Sequence, residues 1–415
     1  MSAAPRPRPS VMLCHNRYGS QEPSGENEVV ESERRLLLER GHRVDEFVRE
    51  SDALRARGLA GKLLGAAMTP WNPFAAADLA ERLERGGHDV LHAHNTFPMI
   101  SPAVFARAPE RVARVLTLHN YRLFCARAVP LREGRPCTEC LERRASWPSV
   151  AHGCYRDSRA ATVPLALSIS LHRALGTWTR HVDAFVALSS FQRELMIEGG
   201  LPAERVHVKP NFCRAPAERV PWAARRPGAV FAGRLSAEKG ADVAVDAWRR
   251  LGPDAPPLTV IGDGPERAAL GARSADLSAV RFAGRLSGAA TREAIGAARL
   301  IVVPSRWFEG FPMVVAEAFA AGTPVIASDI GSLATIVTEG RNGRRFPVGD
   351  AAALARVLND LLGRPDALAR LHEGAAEDYR RLYSEAGNHA ALLGVYDAAL
   401  AHRRGPGGGP EPREP

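Results

Sequence analysis

The chain has 415 residues, of which 45% are hydrophobic and 24% charged, which is ordinary for a soluble protein and long enough for two domains with separate cores. No apolar run approaches the ~18–20 residues that span a bilayer, and Met1–Ser10 is Pro/Arg-rich without an apolar stretch, so the expectation is a cytoplasmic chain, neither secreted nor membrane-spanning. Lysine occurs only at Lys62, Lys209 and Lys239, so 52 of the 55 basic residues are arginine; the net charge of +9 makes peripheral contact with an anionic membrane conceivable, whereas no basic run carries the interleaved aromatics of a nucleic-acid binder.

Taken in order, Val11–Cys14 reads as a strand, followed by a polar Gly/Ser/Pro loop over 19–25 and a helix from about Asn27 to Arg40 that stops at Gly41-His42. Arg43–Val48, Asp89–Ala93, Arg114–Leu118 and Asp183–Leu188 read as further strands, the second and third each ending in a histidine-bearing turn. Val206–Val208 leads into Lys209-Pro210-Asn211, where the hinge is placed. The second half repeats the pattern, with strands at Gly228–Ala232, Leu258–Ile261, Val280–Ala283, Leu300–Val303 and Val325–Ala327 and helices at Ala241–Leu251 and about 289–298, 312–321 and 351–362. Strands alternating with helices imply parallel sheets. The expected organisation is α/β: a first domain over 1–210 with a Cys-containing insertion at about 123–158, a second over 211–385, a helix at 386–402 packing back on the first, and a Pro/Gly-rich, disordered tail at 403–415. Ligands of such sheets sit beyond the carboxyl ends of the strands, here in a cleft between the halves.

Two segments carry the chemistry. Gly-Arg-Leu-Ser-Ala-Glu-Lys-Gly at 233–240 joins a strand to a helix: Arg234 offers a planar fork for phosphate oxygens, Lys239 a point charge, and Gly233 and Gly240 allow close backbone approach. The helix starting near Ala241 adds unpaired N–H groups. No Asp-x-Asp pair exists to clamp a divalent ion, so a diphosphate would be met by cations and helix N-termini. In the second segment Pro312 suits a first helical turn, which leaves Glu309, Gly310 and Phe311 in the preceding loop and Glu317 inside an apolar helix. Carboxylates accept hydrogen bonds from vicinal sugar hydroxyls. The bland alternatives are a solvated strand–turn–helix connection and an idle acidic pair.

Arg234–Lys239, Gly262-Asp263-Gly264-Pro265-Glu266-Arg267, Glu309 with Glu317 eight positions on, and Gly322-Thr323-Pro324-Val325 together resemble the retaining GT-B glycosyltransferases of family 4, and the match covers most of the second half. The resemblance implies two Rossmann-like domains facing a central cleft, a UDP- or GDP-sugar donor, and no cofactor needed for the chemistry. It assigns Arg234 and Lys239 to the donor diphosphate, Glu309 to the transferred sugar and Glu317 to the ribose. Gly25, Gly233, Gly264, Gly310, Phe311 and Pro312 join the donor set, and Arg285 falls in the segment 281–286 that would pack against the base. The first half is similar in order though less specific: Gly25 precedes the first helix but Glu26 replaces a second glycine, and in Thr117-Leu118-His119-Asn120 the residue Asn120 stands where an Asp often follows. His119 matches the histidine that bonds the transferred sugar; the alternative is an imidazole satisfied by a backbone carbonyl. His92 and His94 also stand at a strand end. The implied chemistry is front-face attack with retention, giving a metal-independent transferase of cell-surface polysaccharide or lipid-linked glycans. A natural-product glycosyltransferase, a sugar-nucleotide epimerase or hydrolase of the same fold, and a non-catalytic nucleotide-sugar binder are the alternatives.

Cys125, Cys137, Cys140 and Cys154 fall in the insertion, and Cys137-Thr-Glu-Cys140 has metal-ligand spacing. A structural zinc and four free thiols both remain open readings, disulfides being improbable in a cytoplasmic chain.

Overall fold

The computed structural model describes residues 8–17 and 25–405, so most of the 19–25 loop and the tail beyond Gly405 lie outside the described residues. The first half builds β1 (Val11–Arg17), β2 (Val44–Glu50), β3 (Val90–Asn95), β4 (Ala113–Thr117), a two-residue antiparallel ribbon of β5 (Leu131–Arg132) and β6 (Arg135–Pro136), β7 (Ala184–Ala187) and β8 (Val206–Val208). The second supplies β9 (Arg226–Ala232), β10 (Leu258–Ile261), β11 (Val280–Gly284), β12 (Ala298–Val303), β13 (Val325–Ser328) and β14 (Gly343–Phe346). Two six-stranded parallel sheets result, ordered β2-β1-β3-β4-β7-β8 and β11-β10-β9-β12-β13-β14. Parallel pairing buries both faces, which is why β3, β4, β7 and β13 are buried along their whole length. The strand order reverses between β1 and β3 in one sheet and between β9 and β12 in the other, and each reversal opens a crevice at the strands' carboxyl ends.

The helices follow their caps. Asn72 Oδ1 accepts from the Ala75 amide at 3.0 Å with Pro73 at the first position of the helix Pro73–Gly86, and Ser189 and Asp350 start Ser190–Glu198 and Ala351–Leu362 in the same way. The last helix, Glu385–Arg404, belongs to the second half in sequence but packs on β4 and β7 of the first. Its Leu392, Val395, Tyr396 and Ala399 are buried in one core with Val90, Val115 and Val186 as well as Val315 and Phe319. His402 Nδ1 lies 2.9 Å and Arg403 2.8 Å from the buried Asp183 carboxylate, fixing the helix end. At the start of the chain the first helix begins at Gly25, two residues earlier than expected, so Gly25 is an exposed first-turn residue and not a loop glycine.

Candidate active site

The turns that follow β9, β10 and β12 are locked together by glycine. A Cβ on Gly262, at φ +136°, would sit 1.9 Å from the Gly233 carbonyl oxygen, and one on Gly264 would sit 2.4 Å from that of Leu235. A Cβ on Gly240, at φ +68°, would meet the Pro304 oxygen at 2.0 Å. Hydrogen bonds from Gly233 N to Ile261 O (3.0 Å), Leu235 N to Asp263 O (2.9 Å) and Arg306 N to Glu238 O (2.8 Å) complete the assembly. The 233–240 turn therefore lies against both the Gly-Asp-Gly turn and the segment leading to Glu309, at the crevice between β9 and β12. Lys239 Nζ stands 2.6 Å from Glu309 Oε1, which also accepts from Ser305 Oγ at 2.8 Å. Glu309 is buried and Lys239 half-buried, with its ammonium 5.5 Å from the Trp307 ring centroid. Arg234 is exposed in the same turn and forms no ion pair among the described residues.

Pro312 caps the helix Met313–Ala321, and Glu317 points from it into a cavity of about 1120 Å³ between the helix Gly25–Glu39, the connection 212–220 and the second half. Its neighbour there is Arg292, 3.5 Å away, and burial raises the Glu317 pKa against the opposing charge of that arginine. The cavity also takes in Glu28, Glu31, Arg214 and Arg219, but not Arg234, Lys239 or Glu309, which stand outside it. The Phe311 side chain is buried against Tyr383, ring centroids 5.6 Å apart, so only its backbone is available to a ligand. Arg285 is exposed in the turn after β11, beside the Gly262 turn through Gly262 N to Gly284 O (2.8 Å), and does not line the cavity.

The first half closes directly on the Glu309 loop. A Cβ on Gly310 would lie 2.9 Å from the His119 carbonyl oxygen; Tyr121 OH donates to the Glu309 carbonyl at 3.3 Å, and Ser332 Oγ, itself 2.7 Å from Ser189 Oγ, does so at 2.7 Å. The segments that follow β4 and β7 thus meet the second half's carboxylate loop, His119 through its carbonyl at Gly310. His119 and His94 line a second, small cavity of about 70 Å³ with Asn95, Asn120 and Arg122. Nearby, Glu26 has its pKa raised to about 8 by burial, against the opposing pull of Arg122, Asn120 and Asn95.

Behind His119 stands a buried ionic group centred on Glu33. Glu33 falls among Val29, Val30, Leu36 and Leu37 on the buried face of its helix and pairs with Lys209 at 2.8 Å, both side chains 1% exposed. His92 Nδ1 and His94 Nε2 each lie 3.2 Å from the other Glu33 oxygen. An acidic residue inside the apolar stripe of a helix is the signal that marks it.

Cys125, Cys137, Cys140 and Cys154 all lie half-buried in the insertion. All are free thiols, and among the described residues no three of them bring their sulfurs within the range a single ion spans. They are neighbours electrostatically, and burial pushes the Cys125 thiol to about 12 and that of Cys140 to about 11.

A family model described as Glycosyl transferases group 1 matches residues 226–364, and one described as Glycosyltransferase Family 4 matches 23–214. The glycogen synthase of Mycobacterium tuberculosis is 30% identical over 279 residues, 64% of this chain and 66% of that protein. The D-inositol 3-phosphate glycosyltransferase of Streptomyces scabiei is 35% identical over 191 residues, 42% of each chain. The chain thus spans under two thirds of the length of these relatives. The crystal structure of Anabaena HepE in complex with UDP superposes with a TM-score of 0.63 at 17% identity, covering 94% of this chain and 100% of that one.

Proposed function

The chain belongs to the family 4, group 1 glycosyltransferases of GT-B fold, and from that premise we propose that it transfers a sugar from a nucleoside diphosphate to an acceptor hydroxyl with retention of configuration. The observation that carries this reading is the Lys239–Glu309 contact of 2.6 Å at the crevice of the second sheet, beside an exposed Arg234 that forms no ion pair among the described residues. A cation next to a carboxylate, with a second cation in the same turn, matches a ligand with hydroxyls at one end and a diphosphate at the other. The second half takes the nucleotide sugar, and the first presents the acceptor. The acceptor oxygen bonds to the anomeric carbon on the face from which the diphosphate leaves; the carbon–phosphate-oxygen bond breaks, and the hydroxyl proton passes to the departing phosphate oxygen. Arg234, Lys239 and the N-terminus of the helix Ala241–Leu251 hold the charge that develops on the leaving group. Glu309 and His119 hold the transferred sugar, and Glu317 takes the ribose hydroxyls at the edge of the large cavity.

The UDP named for HepE supports a uridine donor over a guanosine one. The relatives' names, a glycogen synthase and a D-inositol 3-phosphate glycosyltransferase, support a polyhydroxylated acceptor; the acceptor proposed is a cell-surface polysaccharide or lipid-linked glycan, with a natural product as the alternative. No described helix is long and apolar enough to cross a membrane, and the placement proposed is the cytoplasm, with contact at the membrane's inner face where the acceptor is lipid-linked. Metal independence is part of the proposal. It rests on the absence of an Asp-x-Asp pair from the sequence. The test is a thermal-shift panel of UDP- and GDP-sugars, in which the donor raises Tm by mass action, followed by transfer assays with and without chelator. Product that vanishes on chelation would remove the metal-independent step, and epimerisation of the donor without any acceptor would replace the whole reading.

A further inference from the structure

Glu33, His94 and His119 form a line from the interior to the small cavity beside the Glu309 loop. Glu33 Oε1 lies 3.2 Å from His94 Nε2, and His94 Nδ1 lies 2.9 Å from His119 Nε2, with the two rings end to end, 5.2 Å between centroids and 24° apart in plane. Glu33 and His94 are buried, and neither Glu33 Oε1 nor His94 Nε2 has any other hydrogen-bond partner. We propose that Glu33 and His94 are positioning residues that fix His119 as the Nε2–H tautomer, leaving its Nδ1 as a hydrogen-bond acceptor for a sugar hydroxyl; the inference rests on the transferase reading and deepens it.

The argument is one of lone pairs. Ionised Glu33 has only acceptors to offer, so His94 Nε2 facing it must carry the proton, since the reverse tautomer would set a lone pair against a buried carboxylate. His94 Nδ1 is then the bare nitrogen, and at 2.9 Å it accepts from His119 Nε2–H. His119 is left with Nδ1, the nitrogen His94 does not hold, as an acceptor. Burial would raise the Glu33 pKa, but the Lys209 ammonium and the two imidazoles outweigh it and hold it below the usual range. Burial lowers His94 to about 4 and His119 well below its ordinary value, so both rings stay neutral and a tautomer is the meaningful variable.

Glu33, His92 and His94 also present three ligand atoms within 4.8 Å of one another, the spacing of a metal site. Lys209, 2.8 Å from the same carboxylate, decides against that use. It already neutralises Glu33, and a divalent ion beside it would leave a net positive charge among side chains 0–1% exposed. His92 is in addition engaged on both nitrogens, at 2.8 Å by Tyr396 OH and at 2.7 Å by Thr117 Oγ1.

The test joins a tautomer measurement to a kinetic one. With histidine nitrogens labelled in the full-length chain, and the His119 resonances assigned by their loss in His119→Gln, the wild-type spectrum should show His119 protonated at Nε2. The Nδ1–H form, or an averaged pair of forms, would overturn the inference. His94→Phe keeps an aromatic ring and the Glu33–Lys209 pair but removes the donor to Glu33 and the acceptor of His119, so it should lower kcat about 10- to 100-fold, more than its loss of Tm accounts for, while the Kd for UDP stays put. His94→Gln should recover most of the loss, because its amide donates to Glu33 and accepts from His119. Equal rates in His94→Phe and wild type, or no recovery in His94→Gln, would also overturn it. A wild-type chain that transfers no sugar at all sinks the functional reading alone, and the spectrum then decides the tautomer by itself.

Discussion

Lys239 and Arg234 stand in one turn, and their different surroundings separate what each does. Arg234 forms no ion pair among the described residues, so Arg234→Ala should leave Tm unchanged while lowering kcat by on the order of 10²-fold, as for loss of one leaving-group donor. Lys239→Ala should cost a similar factor in rate and also lower Tm, because it strips the buried Glu309 of its cation at 2.6 Å. Transfer assays paired with thermal melts check both, and near-normal turnover in either variant would contradict the leaving-group role. Glu26 offers a pH signature. Its pKa rises from 4.5 to about 8 through burial, so the folded chain holds a proton the unfolded chain has released; its stabilising contribution is full below pH 4.5 and lost as pH rises through about 8. The Tm advantage of wild type over Glu26→Gln should therefore shrink steadily across that window, and a flat difference would show the carboxyl to be solvated. These residues differ in how legible they were. Arg234, Lys239, Glu309 and Glu317 announce themselves as charges in Gly- or Pro-bounded turns or among apolar neighbours. Glu33 was missed because its meaning depends on Lys209, 176 positions away, and on histidines of another strand.

At the level of elements, local chemistry wrote most of the fold. The helix Ala241–Leu251 and strands β8 and β10 run as expected, since Gly, Pro or a change of period bounds each of them. The strand β14, Gly-Arg-Arg-Phe, was passed over because no apolar alternation marks it: it is a strand by virtue of pairing with β13 from Val325↔Gly343 to Ser328↔Phe346. The helix Pro73–Gly86 is marked in the sequence by its Asn72 cap and first-turn proline. The donor turn itself depends on glycines that sequence marks only as turn formers. Gly262→Ala would drive a methyl into the Gly233 oxygen, 1.9 Å away, at a φ of +136°. The expected result is a loss of about 1–3 kcal/mol in stability together with a larger, disproportionate weakening of UDP binding, because the atoms displaced are those that set Arg234. Denaturant melts and calorimetry on the same variant check it, and unaltered UDP affinity would show that the turn tolerates the shift.

For the whole molecule, the question is what holds two sheets at one cleft, and the answer runs through the last helix. Glu385–Arg404 lies on β4 and β7 of the first sheet, while its Asn388 reaches Lys209 at 3.2 Å and the Pro210 carbonyl at 2.6 Å, so the connection between the halves is gripped from the end of the chain. Lys209 in turn bonds Glu33 of the first helix, and Tyr396 bonds His92. Such a buried ion pair contributes little net stability over an apolar pair of the same shape, since both charges give up their hydration, but breaking it on one side leaves a bare charge in the interior. Lys209→Met should therefore cost about 3–5 kcal/mol, whereas Glu33→Gln with Lys209→Met should recover a large part of that. A double-mutant cycle measured by denaturant unfolding gives the coupling energy. The double variant should also retain its fold yet transfer sugar more slowly than its stability alone would suggest, because the carboxylate that faces His94 is gone. Full recovery of stability without that kinetic deficit would reduce the pair to packing, and failure to recover any stability would mean that the charges hold the hinge in a way two neutral side chains cannot.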